Sequence, residues 1–280
     1  MSIKFGTSAD NALHGTSADD ILYGLGGADL LYGEAGNDQL IGGSGNDTLY
    51  GGDGVDTAVF STAHDVDARL WAENGSAWDL GFDLLYGIEN LITGSGDDLV
   101  EGDEGANLLS AGAGLDVVHG EGGDDALYGG NGNDTLEGGE GDDFVQGGNG
   151  HDYVGGDAGD DVLEGNGGDD DLDGYVGVDV MTGGAGADDF FFRPGDSGTR
   201  LGNRDRITDF DQAEGDQIEL NFFDGLSFVG NDAFTAADQV RFVHKSGSTF
   251  VQINTDADLA AESVIELTGT IDLVAGDFVL

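Results

Sequence analysis

The feature that most constrains this chain is a nine-residue frame, G-G-x-G-x-D-x-U-x with U a large apolar residue, which recurs without insertion over two long stretches. From Gly6 to Val59 it runs for six units, beginning at residues 6, 15, 24, 33, 42 and 51. From Thr93 to Phe191 it runs for eleven more, beginning at every ninth residue from 93 to 183. In all seventeen units the sixth position is Asp or Asn and the eighth is apolar, from Leu13 to Phe190. The fourth is Gly everywhere except Ala9 and Ala18. One G-x-G-x-D means little; seventeen in one register describe an array of units that bury their apolar faces by stacking.

The physics of one unit follows from its residues. Positions seven to nine read as a short strand whose alternation points the eighth side chain into a core. The six-residue glycine loop reverses the chain, because Gly tolerates positive φ and close backbone approach. Two units then make one turn of a flattened spiral, and loops of units n and n+2 stack about 4.8 Å apart. In the best-matched stretch, Gly129 to Gln146, Leu136 and Val145 are expected on opposite sheets. Asp134 is expected to stack with Asp116 and Asp152, and Asp143 with Asp125 and Asp161. The predicted fold is all-β: a parallel β-roll in two blocks, 6–59 and 93–191, with a β insert or cap at 60–92 and a β-rich C-terminal domain at 192–280.

Charge decides what such a roll can bind. The chain has 57 acidic and 8 basic residues, a formal net charge of -49. That excludes nucleic acid, which needs a basic footprint, and anionic lipid surfaces repel it unless cations intervene. The absence of cysteine excludes thiolate metal sites, disulfides and thiol nucleophiles. Stacked loops bring carboxylates one strand spacing apart, and a hard divalent cation removes the repulsion. Glycine-loop carbonyls and Asp carboxylates form an oxygen-only ligand set that favours Ca²⁺.

With these residues in view, the sequence resembles the hemolysin-type calcium-binding repeat, the RTX nonapeptide. The resemblance implies a calcium-filled, right-handed parallel β-roll, with Ca²⁺ between stacked loops held by glycine-position carbonyls and sixth-position side chains. Carried onto this chain, the ligands are Asp20, Asp29, Asp38, Asp47, Asp56, Asp98, Asn107, Asp116, Asp125, Asp134, Asp143, Asp152, Asp161, Asp170, Asp179 and Asp188. The carbonyl donors in the best-matched stretch are Gly129, Gly130, Gly132, Gly138, Gly139, Gly141, Gly147, Gly148 and Gly150. Asn11 and Asn107 lose a charge and weaken their sites, and Ala9 and Ala18 disturb the first two loops. If a site needs loops n and n+2, six units allow at most four sites and eleven allow nine. The repeats are expected to be largely unfolded without calcium.

Residues 60–92 break the frame. Val66, Ala68 and Leu70 alternate as in a longer strand, and Asn74-Gly75 suggests a turn. Trp71, Trp78, Phe82 and Tyr86 read as a cap closing the ends of two rolls, with a binding surface as the lesser alternative. After Phe191, the Phe run, Gly195-Asp196-Ser197-Gly198 and Ile207-Thr208-Asp209-Phe210-Asp211 resemble the C-terminal domain of serralysin-type secreted proteases. The terminal Asp277, Phe278, Val279 and Leu280 look like that family's uncleaved signal for ATP-driven type I secretion, and they also suit a last strand. The N-terminus lacks a secretory h-region, so a secreted, extracellular protein exported by the type I apparatus is expected.

The sequence holds no H-E-x-x-H and no G-x-S-x-G. The five histidines show no metal-site spacing, and Gly195–Gly198 falls where the serralysin-like tail carries a similar run. The expected function is therefore non-enzymatic: a calcium-binding interaction or adhesion protein associated with surface polysaccharide. The alternatives are a host-membrane-active protein of the hemolysin or rhizobial nodulation type, and an RTX enzyme with a cryptic site.

Overall fold

The eighth position of each unit builds the fold. Leu22, Leu31, Leu40, Leu49, Leu109, Leu127, Leu136, Val145, Leu163 and Met181 are all fully buried. Each such Leu contributes roughly 1.5–3 kcal/mol on leaving water. The computed structural model describes residues 1–70, 75–78, 81–199, 202–223 and 225–280. Trp71 and Asn74 lie outside the described residues. The chain divides into two units, Met1–Leu136 and Glu137–Leu280, a division that falls within the second repeat block.

In the first unit successive strands alternate between two parallel sheets. One carries Ile3–Thr7, Ile21–Gly26, Gln39–Ser44, Thr57–Val59, Asn90–Ile92, Leu108–Ala113 and Ala126–Asn131. The other includes Ala12–Thr16, Leu30–Ala35 and Thr48–Asp53, and later Leu99–Glu101 and Val117–His119. Pairing is in register at 18 residues, so Leu22 lies beside Leu40 and Leu109 beside Leu127. This is the expected parallel roll with two units per turn.

Two features differ from the expectation. Most strands of the repeat units have six residues rather than three: Thr135–Glu140 covers positions seven to nine of one unit and one to three of the next. The early glycines pair in the ladder instead of looping, as where Gly112 and Ala113 face Gly130 and Asn131. Identical backbone in the neighbouring turn continues the hydrogen bonds, so the reversal is confined to positions four to six.

The insert splices the roll rather than closing two ends. On one sheet Asn90–Ile92 pairs in parallel with both Thr57–Val59 and Leu108–Ala113. On the other, Phe82–Tyr86 pairs with Thr48–Asp53, then Gly75–Trp78 and Asp67–Arg69 follow antiparallel, and Asp67–Arg69 pairs with Leu99–Glu101. Each strand of the insert offers an alternating apolar face, Ala68, Ala77, Leu85 and Leu91, that continues the buried columns. Tyr86 stacks on Tyr50 at 4.9 Å, extending the outer aromatic column of Tyr32 and Tyr50. Trp78 stays 57% exposed beside Phe82.

In the second unit the same two-sheet pattern runs from Phe144–Asn149 and Tyr153–Ala158 onward. The tail after Phe191 continues both sheets. Ile207 follows Met181 and is followed by Leu267 in register; Ile218 follows Phe190 and is followed by Phe278. An antiparallel set, Gln239–Lys245, Ser248–Asn254 and Ser263–Thr268, completes one sheet.

Candidate metal centre

The sixth-position residues from Asp20 to Asp188 sit inside the loops, none more than 5% exposed. Each aspartate uses its two oxygens differently. Oδ1 accepts the backbone N–H of the sixth-position residue one turn earlier: Asp38 from Asp20 at 2.7 Å, Asp116 from Asp98 at 2.8 Å, Asp125 from Asn107 at 2.7 Å. The two expected stacks that lie within one unit are present, Asp134 accepting from Asp116 at 2.9 Å and Asp161 from Asp143 at 2.8 Å. The other oxygen turns back into its own loop. Among the described residues, Oδ2 of Asp29, Asp38, Asp56, Asp116, Asp161, Asp170, Asp179 and Asp188 is buried with no hydrogen-bond partner.

That oxygen shares its surroundings with a carbonyl. A methyl group on Gly24 would meet both Asp29 Oδ2 and the Gly42 carbonyl closer than 3.0 Å, and one on Gly138 would meet Asp143 Oδ2 and the Gly156 carbonyl within the same limit. The first-position glycine is thus needed because two oxygens converge where a side chain would go. At the fourth position Gly132 has φ 142° and passes close to the Gly114 carbonyl one turn earlier, a conformation that only Gly adopts cheaply. Gly130, Gly139, Gly141, Gly148 and Gly150 also have positive φ.

Burying oxygens this way is costly without a cation. Neighbouring carboxylates one strand spacing apart repel by on the order of 3 kcal/mol at an effective dielectric of about 20. That equals or exceeds what each turn gains from burying a Leu. Burial accordingly raises the carboxyl pKa to about 6 at Asp56 and Asp170, about 7 at Asp116, Asp161 and Asp188, and about 8 at Asp179. Neighbouring carboxylates add to that rise, Asp161 and Asp205 in the case of Asp179. Orphaned oxygens, converging carbonyls and an all-oxygen donor set fit a hard divalent ion.

Three expected ligands depart from the pattern. Asp98 Oδ2 accepts the Gly94 N–H of its own loop at 3.4 Å. Thr16 donates both its backbone N–H, at 2.6 Å, and its hydroxyl, at 2.7 Å, to Asp20 Oδ2, and its hydroxyl bond leads in holding that pKa down at about 2. Asp20 is satisfied inside its own loop. Asn107 accepts the Asp103 N–H at 2.8 Å and donates Nδ2 to the Glu89 carbonyl at 2.8 Å, so its amide closes the loop with protein groups.

The column also has members outside the glycine frame. Asp83 accepts the Asp47 N–H at 2.8 Å, Glu89 the Asp56 N–H at 2.7 Å, Asp205 the Asp179 N–H at 3.1 Å and Asp216 the Asp188 N–H at 3.2 Å. Each precedes an apolar residue by two, as in Asp83-Leu84-Leu85 and Asp205-Arg206-Ile207. This acidic-x-apolar triplet was the available signal. Fifth-position side chains form an opposite outer ladder: Asp10 accepts from Ala28, Asp97 from Leu115 and Asp160 from Val178, one turn later.

Comparison with known families agrees with this geometry. The RTX calcium-binding nonapeptide repeat matches in overlapping segments over residues 5–65 and 85–190, more than half of the chain. The chain belongs to the RTX calcium-binding repeat family. This family binds Ca²⁺, and the RTX frame is the one that places the orphaned oxygens. No curated protein matches the chain. Among solved structures, the RTX chain is similar to the AlgE6R3 subunit of the Azotobacter vinelandii mannuronan C5-epimerase, at 22% identity over 66% of this chain and 78% of that one, TM-score 0.28. It is also similar to the extracellular lipase LipA of Serratia marcescens, at 17% identity over 98% of this chain, TM-score 0.29. It spans 40% of the lipase chain.

Outside the RTX loops, Ser197 of the G-D-S-G run is 3% exposed. Its hydroxyl donates to the Val264 carbonyl and accepts the Asp205 N–H, both at 2.8 Å, so it braces the tail. Asp277 accepts from Gln212 and from the Val274 N–H at 2.6 Å, and Phe278–Val279 pairs with Gln217–Glu219.

Proposed function

We propose that this is a secreted, non-enzymatic protein that folds on calcium outside the cell and acts there as an interaction protein associated with acidic polysaccharide. The observation that carries the reading is the column of buried Oδ2 oxygens without hydrogen-bond partners among the described residues, with a loop carbonyl beside those of Asp29, Asp38, Asp56 and Asp170. With calcium supplied, Oδ2 of Asp29, Asp38, Asp56, Asp116, Asp161, Asp170, Asp179 and Asp188 and the first-position carbonyls would hold the ions. Affinity in the range of extracellular modules, ~10⁻⁴ to 10⁻³ M, would leave the chain unfolded where calcium is scarce and fold it where calcium is abundant.

Export fits the same switch. Asp277, Phe278, Val279 and Leu280 are proposed as the type I secretion signal. In the folded chain Phe278 is 6% exposed, so the signal is available to a transporter only before the roll forms. The spent hydroxyl of Ser197 supports the non-enzymatic reading. The test is far-UV circular dichroism and hydrodynamic radius with calcium and with chelator, followed by calcium-dependent binding to an acidic glycan. A compact β-signal that survives chelation refutes the switch.

A further inference from the structure

Basic residues are scarce in this chain, yet six of the eight fall between Arg193 and Lys245. Two of them meet at a cleft of about 410 Å³ on the outer face of the C-terminal antiparallel sheet. That volume lies in the ordinary range of small-molecule sites, about 300–1,000 Å³. Arg204 enters from the loop before Arg206–Ile207, and its guanidinium lies over the Phe250 ring at 5.1 Å. Lys245 stands at the rim, exposed, on a tight hairpin in which Ser246 and Gly247 both have positive φ and Lys245 pairs with Ser248. The strands thus fix both cations on one cleft, and the aromatic ring orients one of them.

The rest of the lining narrows the ligand. Glu266 also faces the cleft and accepts the Ser248 hydroxyl at 2.9 Å; Gln252 is held by Arg241, which donates to its Oε1 at 2.9 Å. Glu266 beside the two cations favours a ligand that brings hydroxyl donors as well as an anionic group. A ligand carrying both carboxylates and hydroxyls complements the lining: carboxylate to the cationic side of Arg204 and Lys245, hydroxyl donors to Glu266, and ring C–H surface to the apolar wall that includes Val243 and Val264. We infer that this cleft binds a uronic-acid unit of an acidic glycan. The inference deepens the polysaccharide reading above and rests on it.

The experiment uses the full chain in millimolar calcium, titrated with hexamannuronate by calorimetry and by backbone amide shifts. A neutral hexaglucan and phosphatidylserine vesicles are run in parallel. Expected are shifts centred on Lys245 to Phe250, at least tenfold weaker binding in R204Q/K245Q, wild-type affinity in K4Q, and at least tenfold weaker binding of the neutral glycan. Because Arg204 packs on Phe250, K245Q alone, at an exposed position, and R204K, which keeps the charge, guard against misfolding: K245Q should weaken binding and R204K should largely keep it, with unchanged circular dichroism. Wild-type affinity in both K245Q and R204Q/K245Q overturns the cleft while leaving the glycan reading standing. No binding of hexamannuronate to the calcium-loaded wild type overturns both. Vesicle binding lost in the variants, without glycan binding, overturns the ligand class.

Discussion

The backbone N–H of Asp170 donates to Oδ1 of Asp188 at 3.0 Å, while Oδ2 of the same Asp188 is buried with no hydrogen-bond partner among the described residues. One carboxylate therefore does two jobs. Its first oxygen ties one turn to the next through protein alone, and its second is the one proposed to hold a cation. Repeated along the roll, this division would couple folding to calcium on the proposed reading.

Chelation should unfold the repeats. Excess EDTA is expected to abolish most of the far-UV β-signal and enlarge the hydrodynamic radius, and added calcium to restore both. The transition should be cooperative, since each turn is stabilised by its neighbours.

Single ligands should differ in a way set by their second oxygen. Asp116→Asn is expected to lose about one bound ion and to raise the calcium midpoint of folding severalfold, because its Oδ2 has no partner in the protein. Asp20→Asn should leave the ion count unchanged, since Thr16 already occupies that oxygen. Metal analysis of the gel-filtered proteins distinguishes the two, and equal losses would contradict the assignment.

In chelator, acid should favour the fold. The folded-state pKa values of Asp116, Asp161, Asp188 and Asp179 lie at about 7, 7, 7 and 8, above the ordinary 3.8. Between those limits the folded form holds more protons than the unfolded one, so its stability falls as pH rises through the window. The calcium-free chain is expected to regain β-structure near pH 5 and lose it by pH 8. With calcium the trend reverses, because protons compete for the same oxygens. A calcium-free signal indifferent to pH would argue against the buried carboxylates.

The core column should respond as a packed interior does. Leu127→Ala removes a fully buried side chain stacked beside Leu109 and is expected to cost about 2–5 kcal/mol in calcium-saturated denaturant unfolding. The outward-facing Leu115→Ala, at a position 59% exposed, should change stability by less than about 0.5 kcal/mol.

Deleting Asp277 to Leu280 should abolish export through a type I transporter, measured as the fraction of protein in the culture medium. The same deletion strips the strand beside Ile218, so it should also lower the thermal stability of the calcium-loaded chain. Normal secretion of the truncated protein would refute the signal.

The repeat itself was legible from the residues. A strict nine-residue period with Leu at position eight and Asp at position six can bury its apolar side chains only by stacking, and the 18-residue register of Leu22 with Leu40 follows. Local pattern also contained the acidic-x-apolar triplets of Asp83, Glu89, Asp205 and Asp216. Gly81 and Gly87 even keep the frame's fourth position, but without glycines at its first two positions the triplets could not be told from ordinary strand edges.

What the sequence by itself determined is the repeat unit: which residue faces the core, which faces the loop, and that the loops carry more negative charge than protein groups can neutralise. Tertiary structure alone decided which oxygen the described protein groups leave without a hydrogen bond. Thr16 quiets Asp20 from within its own loop, whereas Asn107 is answered by Glu89, 18 residues away in the insert. It alone turned the insert into a splice, through pairings such as Leu84 with Thr48, 36 residues apart. Periodicity is a property of neighbours along the chain; hydrogen-bond satisfaction is a property of neighbours in space, and the two coincide only where the repeat is unbroken.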